Sequence, residues 1–151
     1  MASLGDILLR NSPDHPGWHE WRMPGEDRFN RVVLGKMLVR EEEHGTARTR
    51  IFPAAHHTNI NGTIHGGIVS ALADATLFAG PSLLTGQNLA ASVTVALSLQ
   101  FTGAGNPELP LDGLVTILRE TGRMLFAQGR VVQGVETIAG FSGVLRKIAA
   151  P

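Results

Sequence analysis

Between Ile51 and Pro107 the chain carries one charged side chain, Asp74. No other feature limits its possible folds so tightly. Around that acid, Ala71, Leu72, Ala73, Ala75, Leu77 and Phe78 are apolar on every helical face. A helix that is apolar all round is a core helix, and the pattern predicts one from about His65 to Leu84. Asp74, Gly80 and Pro81 interrupt its apolar run, which favours a buried helix over a membrane span. The rest of the chain must therefore wrap it.

The wrapping is expected from strands. Arg31 to Val39 is apolar and β-branched, the charge run Arg40-Glu41-Glu42-Glu43 follows, and His44-Gly45 offers a turn into a returning strand from Thr46 to Phe52. The glutamates read as a solvated hairpin end without functional weight. Ser92 to Phe101 alternates cleanly, with Val93, Val95, Leu97, Leu99 and Phe101 on one side. After a loop from Gly103 to Pro110, Leu114 to Glu120 and Met124 to Gln133 form a hairpin around Thr121-Gly122, and Val135 to Ile148 is a last strand. Strands, one long helix, then strands again imply an α+β fold, an antiparallel sheet with the helix on one face. Gly129, Gly134, Gly140 and Gly143 fit a strongly curved sheet. Residues 1–30 read as an appendage, with helical spacing at Leu4, Ile7 and Leu8 ended by Asn11-Ser12-Pro13. Its Trp18 and Trp21 either pack it onto the core or cap a pocket; residues 31–151 read as a single domain.

At 151 residues and 16.1 kDa the chain suits one domain. Thirteen Lys and Arg balance thirteen Asp and Glu, which speaks against a nucleic-acid binder or a polybasic membrane anchor. The absence of Cys excludes disulfides, thiolate zinc sites and a cysteine nucleophile. Met1 to Arg10 shows neither the basic nor the apolar region of a secretory signal, so a cytoplasmic protein is the simpler expectation.

Asp74 has no Lys or Arg near it in sequence, so it is expected to be substantially buried and uncompensated, with a raised pKa. Carboxylates in such surroundings are functional candidates; an acid hydrogen-bonded in the core or at a subunit seam is the alternative. Directly before the helix runs Asn59-Ile60-Asn61-Gly62-Thr63-Ile64-His65-Gly66-Gly67. Gly66 and Gly67 are poor helix formers in a first turn, but their bare amides carry the positive end of the helix dipole and could receive a substrate carbonyl. A turn that merely starts the helix is the other reading. His65 and Asp74 are nine residues apart, which on one helix means about 13 Å and opposite sides. One chain could not easily place both ends around one carbonyl, whereas two chains packed side by side could. A homodimer with composite sites is the expectation.

An Asn six residues before His-Gly-Gly, an Asp nine after that His and a Ser eighteen beyond the Asp resemble the hotdog-fold acyl-CoA thioesterases, most of all the phenylacetic-acid-degradation (PaaI-like) type. Here these are Asn59, His65-Gly66-Gly67, Asp74 and Ser92, within a likeness spanning Val32 to Lys147. The resemblance implies a long central helix wrapped by an antiparallel sheet, dimerised and often a dimer of dimers. It implies thioester hydrolysis in which Gly66 polarises the carbonyl and Asp74 of the other subunit serves as general base or nucleophile. Asn59 would hold the water or the carboxylate, Ser92 would orient the water, and His65 would shape the loop. Gly67 and Thr76 could touch substrate, while Arg119, Gly122 and Arg123, with Arg130 in the same cluster, could meet the phosphates of coenzyme A. Coenzyme A enters as part of the substrate, with no separate cofactor. A metal is disfavoured because adjacent His56 and His57 would point apart on a strand. The loop Gly103 to Gly113 and the segment Phe101-Thr102-Gly103-Ala104 depart from the family pattern. A non-catalytic acyl-CoA-binding module and a hotdog enoyl-CoA hydratase are the alternatives.

Overall fold

The computed structural model describes residues 9–148; the helical spacing at Leu4, Ile7 and Leu8 lies outside them. The strands are β1 (Leu9–Asn11), β2 (His19–Trp21), β3 (Met37–Glu41), β4 (Thr46–Ile51), β5 (Val93–Phe101), β6 (Leu111–Glu120), β7 (Met124–Gln133) and β8 (Glu136–Arg146). A π-helical turn covers Asn30–Leu34, a short 3-10 turn covers Ala55–His57, and α1 runs from Gly66 to Thr85. All pairings are antiparallel, in the order β1-β2-β3-β4-β6-β7-β8-β5. The β3–β4 hairpin turns at His44 and Gly45, whose φ values of 58° and 68° suit a tight hairpin twist.

The sheet wraps α1 as its sequence requires. Leu72 and Leu77 of α1 meet Ile51, Leu111, Val115, Leu125 and Leu145 from the sheet, all essentially inaccessible. Burying each leucine contributes roughly 1.5–3 kcal/mol. The approach is closest at Gly80, where an added Cβ would strike Val115 and come within 3.2 Å of the Ala47 Cβ. Gly86, at φ 69°, ends the helix and donates its N–H to the Ser82 carbonyl. At 20 residues α1 is long and apolar enough to span a membrane, but most of it is buried inside this sheet.

Two sequence expectations are corrected near the N-terminus. Arg31 to Val39 does not form one strand: Gly35, at φ 71°, separates the π-helical turn from β3. Leu34 is buried on the near side of that break and Met37 on the far side, so apolar composition alone resembled a continuous strand. Residues 9–21 are not helical either. They form a small hairpin that extends the sheet beyond β3, closed by Ser12 N–H donating to the Trp18 carbonyl. Trp21 joins the main core, and Trp18 is buried on the outer sheet face beneath the guanidinium groups of Arg40 (4.4 Å) and Arg50 (5.0 Å).

Those arginines belong to one network. Arg50 pairs bidentately with buried Asp112 (2.7 Å for both bonds), Arg48 bonds Asp112 (2.8 Å) and Glu42, and Arg40 bonds Glu42 (2.9 Å). Glu42 is thus not merely the solvated hairpin end expected of it. Burial works against its charge, but hydrogen bonds and Coulombic attraction from Arg48 and Arg40 outweigh this and hold its carboxyl below the usual value.

Candidate active site

The loop leading into α1 is closed on itself. His65 N–H donates to the His57 carbonyl (2.8 Å), and Thr58 bridges Ile64. Inside the closure, the Asn59 side-chain oxygen accepts from the N–H groups of Asn61 (2.9 Å) and Thr63 (3.2 Å), while its amide donates to Thr63 Oγ1 (2.8 Å). Asn59 therefore fastens the loop. Its carbonyl oxygen is committed to these backbone amides, while one of its two amide N–H groups goes to Thr63. Ile64 N–H donates to the Gly105 carbonyl (2.9 Å), so the loop between β5 and β6 braces the same segment. That loop is held in turn by buried Gln133, which bonds Asn106 through both its amide oxygen and nitrogen.

His65 caps α1. Its Nδ1 accepts from Gly67 N–H at 2.8 Å, and its carbonyl accepts from Ile68 (2.9 Å). The first turn of a helix leaves its amides without intrahelical acceptors. The imidazole satisfies Gly67, while Gly66 N–H finds no acceptor among the described residues. Of the two glycines, only Gly67 is crowded. A Cβ at Gly67 would lie 2.9 Å from His65 Nδ1, whereas one at Gly66 would make only an ordinary contact with the Phe101 ring at 3.4 Å. One bare amide at the positive end of a 20-residue helix is a fit donor for a developing oxyanion.

Asp74 is half-buried between fully buried Ala73 and Ala75. It was expected deeper, but β5 ends the sheet there, and a single copy leaves that flank of α1 partly open. No Lys, Arg or His forms an ion pair with it among the described residues. Its Oδ1 accepts one hydrogen bond, from Thr94 Oγ1 at 2.7 Å. Thr94 was not singled out from the sequence. The available signal was parity: in the alternation of β5, Thr94 was placed on the polar side, which proves to be the side facing Asp74.

Ser92 does not make that contact. It is buried one residue before β5, its N–H bonded to the Leu89 carbonyl, and it lines a different recess with Gln87, Asn88, Gly122, Arg123 and Lys147. This recess, of about 400 Å3, contains two of the residues suggested for phosphate contact. Lys147 there is neutralised by Glu120 at 2.6 Å, whereas the Arg123 guanidinium forms no ion pair among the described residues. Arg119 is exposed on β6 opposite Phe126, outside the lining of the recess. Arg130 is six residues along β7 from the turn, about 20 Å away at the rise of a strand, and donates to Thr137 (3.0 Å). The three arginines are not one cluster.

Thr76 is withdrawn from the substrate set. It is fully buried, with its hydroxyl bonded to the Leu72 carbonyl and Thr49 Oγ1 (both 2.7 Å), and it fills the space left by Gly113 on β6. Gly66 and Asp74 stand eight residues apart on α1, roughly 12 Å along its axis, so one chain does not bring them to one carbonyl. Among the described residues, the flank beside Asp74 presents an unpaired strand edge with Val93, Val95 and Phe101 exposed at 45%, 58% and 52%.

Three solved structures illustrate what the fold is similar to. The Escherichia coli PaaI protein from the phenylacetic acid degradation operon matches with a TM-score of 0.69 and 21% identity, over 83% of this chain and 88% of that one. Zebrafish thioesterase superfamily member 2 matches over the same shares, with a TM-score of 0.67 and 21% identity. A point mutant of the phenylacetic acid degradation protein PaaI from Thermus thermophilus matches with a TM-score of 0.64 and 23% identity, over 78% and 97%. No protein-family model matches the chain, and no curated protein sequence does. With eight antiparallel strands around one long helix, laid out as in these three structures, the chain has the hotdog fold of the PaaI and thioesterase-superfamily proteins.

Proposed function

We propose that the protein is an acyl-CoA thioesterase, active as a homodimer whose sites combine Gly66 of one protomer with Asp74 of the other. The observation that carries this reading is Asp74 itself. It is the sole charge in the helical core, it has no cation partner among the described residues, and it stands beside an unpaired apolar strand edge. Pairing two β5 edges would satisfy their backbone groups, cover Val93, Val95 and Phe101, and set the two α1 helices side by side.

In this arrangement the Gly66 N–H receives the thioester oxygen and stabilises the charge that develops on it. A water attacks the carbonyl carbon and gives its proton to Asp74. Collapse of the tetrahedral intermediate breaks the carbon–sulfur bond, and the departing thiolate takes that proton back. Thr94 anchors one carboxylate oxygen, leaving the other to act as base. Arg123 is the suggested phosphate contact for the coenzyme A end, with Gly122, Gln87 and Asn88 around it. A dimer of dimers and a cytoplasmic location accompany this reading as proposals.

Release of free thiol from a panel of acyl-CoAs tests it directly. Asp74→Asn is expected to lower kcat by at least about a hundredfold while retaining the fold. Binding of coenzyme A esters without thiol release would replace the enzyme with a carrier or sensor. Hydration of an enoyl-CoA without hydrolysis would replace it with a hydratase.

A further inference from the structure

His57 is 2% exposed, and both its ring nitrogens and its backbone carbonyl are engaged. Nδ1 faces the Ala54 N–H at 3.0 Å, and Nε2 faces the Val33 carbonyl at 2.6 Å. A backbone N–H only donates and a carbonyl only accepts, so the partners fix a neutral ring with its proton on Nε2. The His57 carbonyl accepts the N–H of His65, the residue that caps α1 and immediately precedes the bare Gly66 amide. The buried ring thus joins the π-helical turn to the strand-exit loop at Ala54, and the backbone of the same residue joins both to the entry of α1.

The Val33 bond is the long-range one, spanning 24 residues of sequence. Leu34, next to it, is anchored in the core. The remaining ties at the base of the loop, apart from that between Ile64 and Gly105, are made within the loop itself. We propose that His57 is a positioning residue, tethering the loop base to Val33 so that the Gly66 amide is held where a thioester oxygen must sit. The inference rests on the thioesterase reading for its kinetic consequence, not for its geometric one.

Three substitutions separate this role from simple packing. His57→Gln keeps a donor near the Nε2 position, His57→Asn keeps a group near Nδ1 but cannot reach Val33, and His57→Ala keeps neither. His57→Ala is expected to lower kcat at least about tenfold, since small misplacements of catalytic groups are costly. KM should stay within about threefold, the pattern of an interaction made in the transition state. His57→Gln should recover most of the lost kcat, and His57→Asn should not. In 15N-labelled protein the Gly66 amide resonance should move in His57→Ala and His57→Asn and return towards its original position in His57→Gln.

Equal kcat values for the Gln and Asn variants, parallel changes in kcat and KM, or an unmoved Gly66 resonance would each overturn the proposal. If His57→Ala does not fold, the Gln and Asn pair still decides the matter. Should the unsubstituted protein release no thiol from any acyl-CoA, the thioesterase reading fails, and the Gly66 resonance alone then tests the tether.

Discussion

Thr94 holds Asp74 through one hydroxyl, and that bond sets the orientation of the proposed base. A hydrogen bond to a charged group contributes about 1.5–3 kcal/mol, so Thr94→Val should lower kcat by roughly tenfold to a hundredfold. Thr94→Ser should restore most of it. Ser92→Ala should affect kcat little and show instead in the KM for coenzyme A esters, because Ser92 lines the recess that holds Arg123. Steady-state kinetics on the three variants settles which hydroxyl serves the acid. The candidate acid and the helix-start glycines were legible in sequence because each breaks a local rule: a charge in an apolar run, and poor helix formers in a first turn. The partner of the acid was not legible. Thr94 and Ser92 share a parity two residues apart, and only the fold shows that β5 begins between them.

Among the elements, β5 is the one whose pattern and environment disagree. Its alternation is regular in sequence, but the register slips between Thr94 and Ala96, so Val95 bulges from the ladder to β8 and stands 58% exposed. Leu97 and Leu99, beyond the slip, pack against the core as the alternation predicts. Bulges locally re-aim side chains, and here Thr94 is turned to Asp74 while a valine is offered to the edge. An exposed apolar edge strand calls for a pairing partner, and a charge there is how edges are kept apart. Val95→Glu is therefore expected to convert a dimer to a monomer in light scattering after size exclusion. Thermal stability of the separated chain should change little, because Val95 is largely exposed, while thiol release should be abolished. An active monomer would break the composite-site reading. β6, β7 and β8 were readable nearly to their ends because each pairs within a meander. The N-terminal strands were missed because three-residue strands carry too few positions to show a period.

At the scale of the whole molecule, the sheet carries a functional face around α1 and a reinforcing one behind it. The reinforcement is electrostatic: Arg40, Arg48 and Arg50 converge on Glu42 and Asp112, with Trp18 beneath the two outer guanidinium groups. In sequence these residues are scattered from position 18 to 112, and only the register of β3, β4 and β6 collects them. The network predicts a particular acid sensitivity. Glu42 titrates below its ordinary value in the folded chain because Arg48 and Arg40 favour its charged form more than burial opposes it. A carboxyl whose folded pKa is depressed stabilises the fold above its unfolded pKa, and that stabilisation is lost as pH falls through the folded value. The unfolded value is near 4.5, so the loss belongs to the range below it. Arg48 and Arg50, raised above an already high value, stay charged throughout and contribute no slope there. Melting temperatures of the unsubstituted protein and Glu42→Gln should therefore differ most at neutral pH and converge as acid is added below 4.5. A constant gap down to full protonation would mean that Glu42 acts through its shape and not its charge, and that the outer face is held by Asp112 and Trp18 alone.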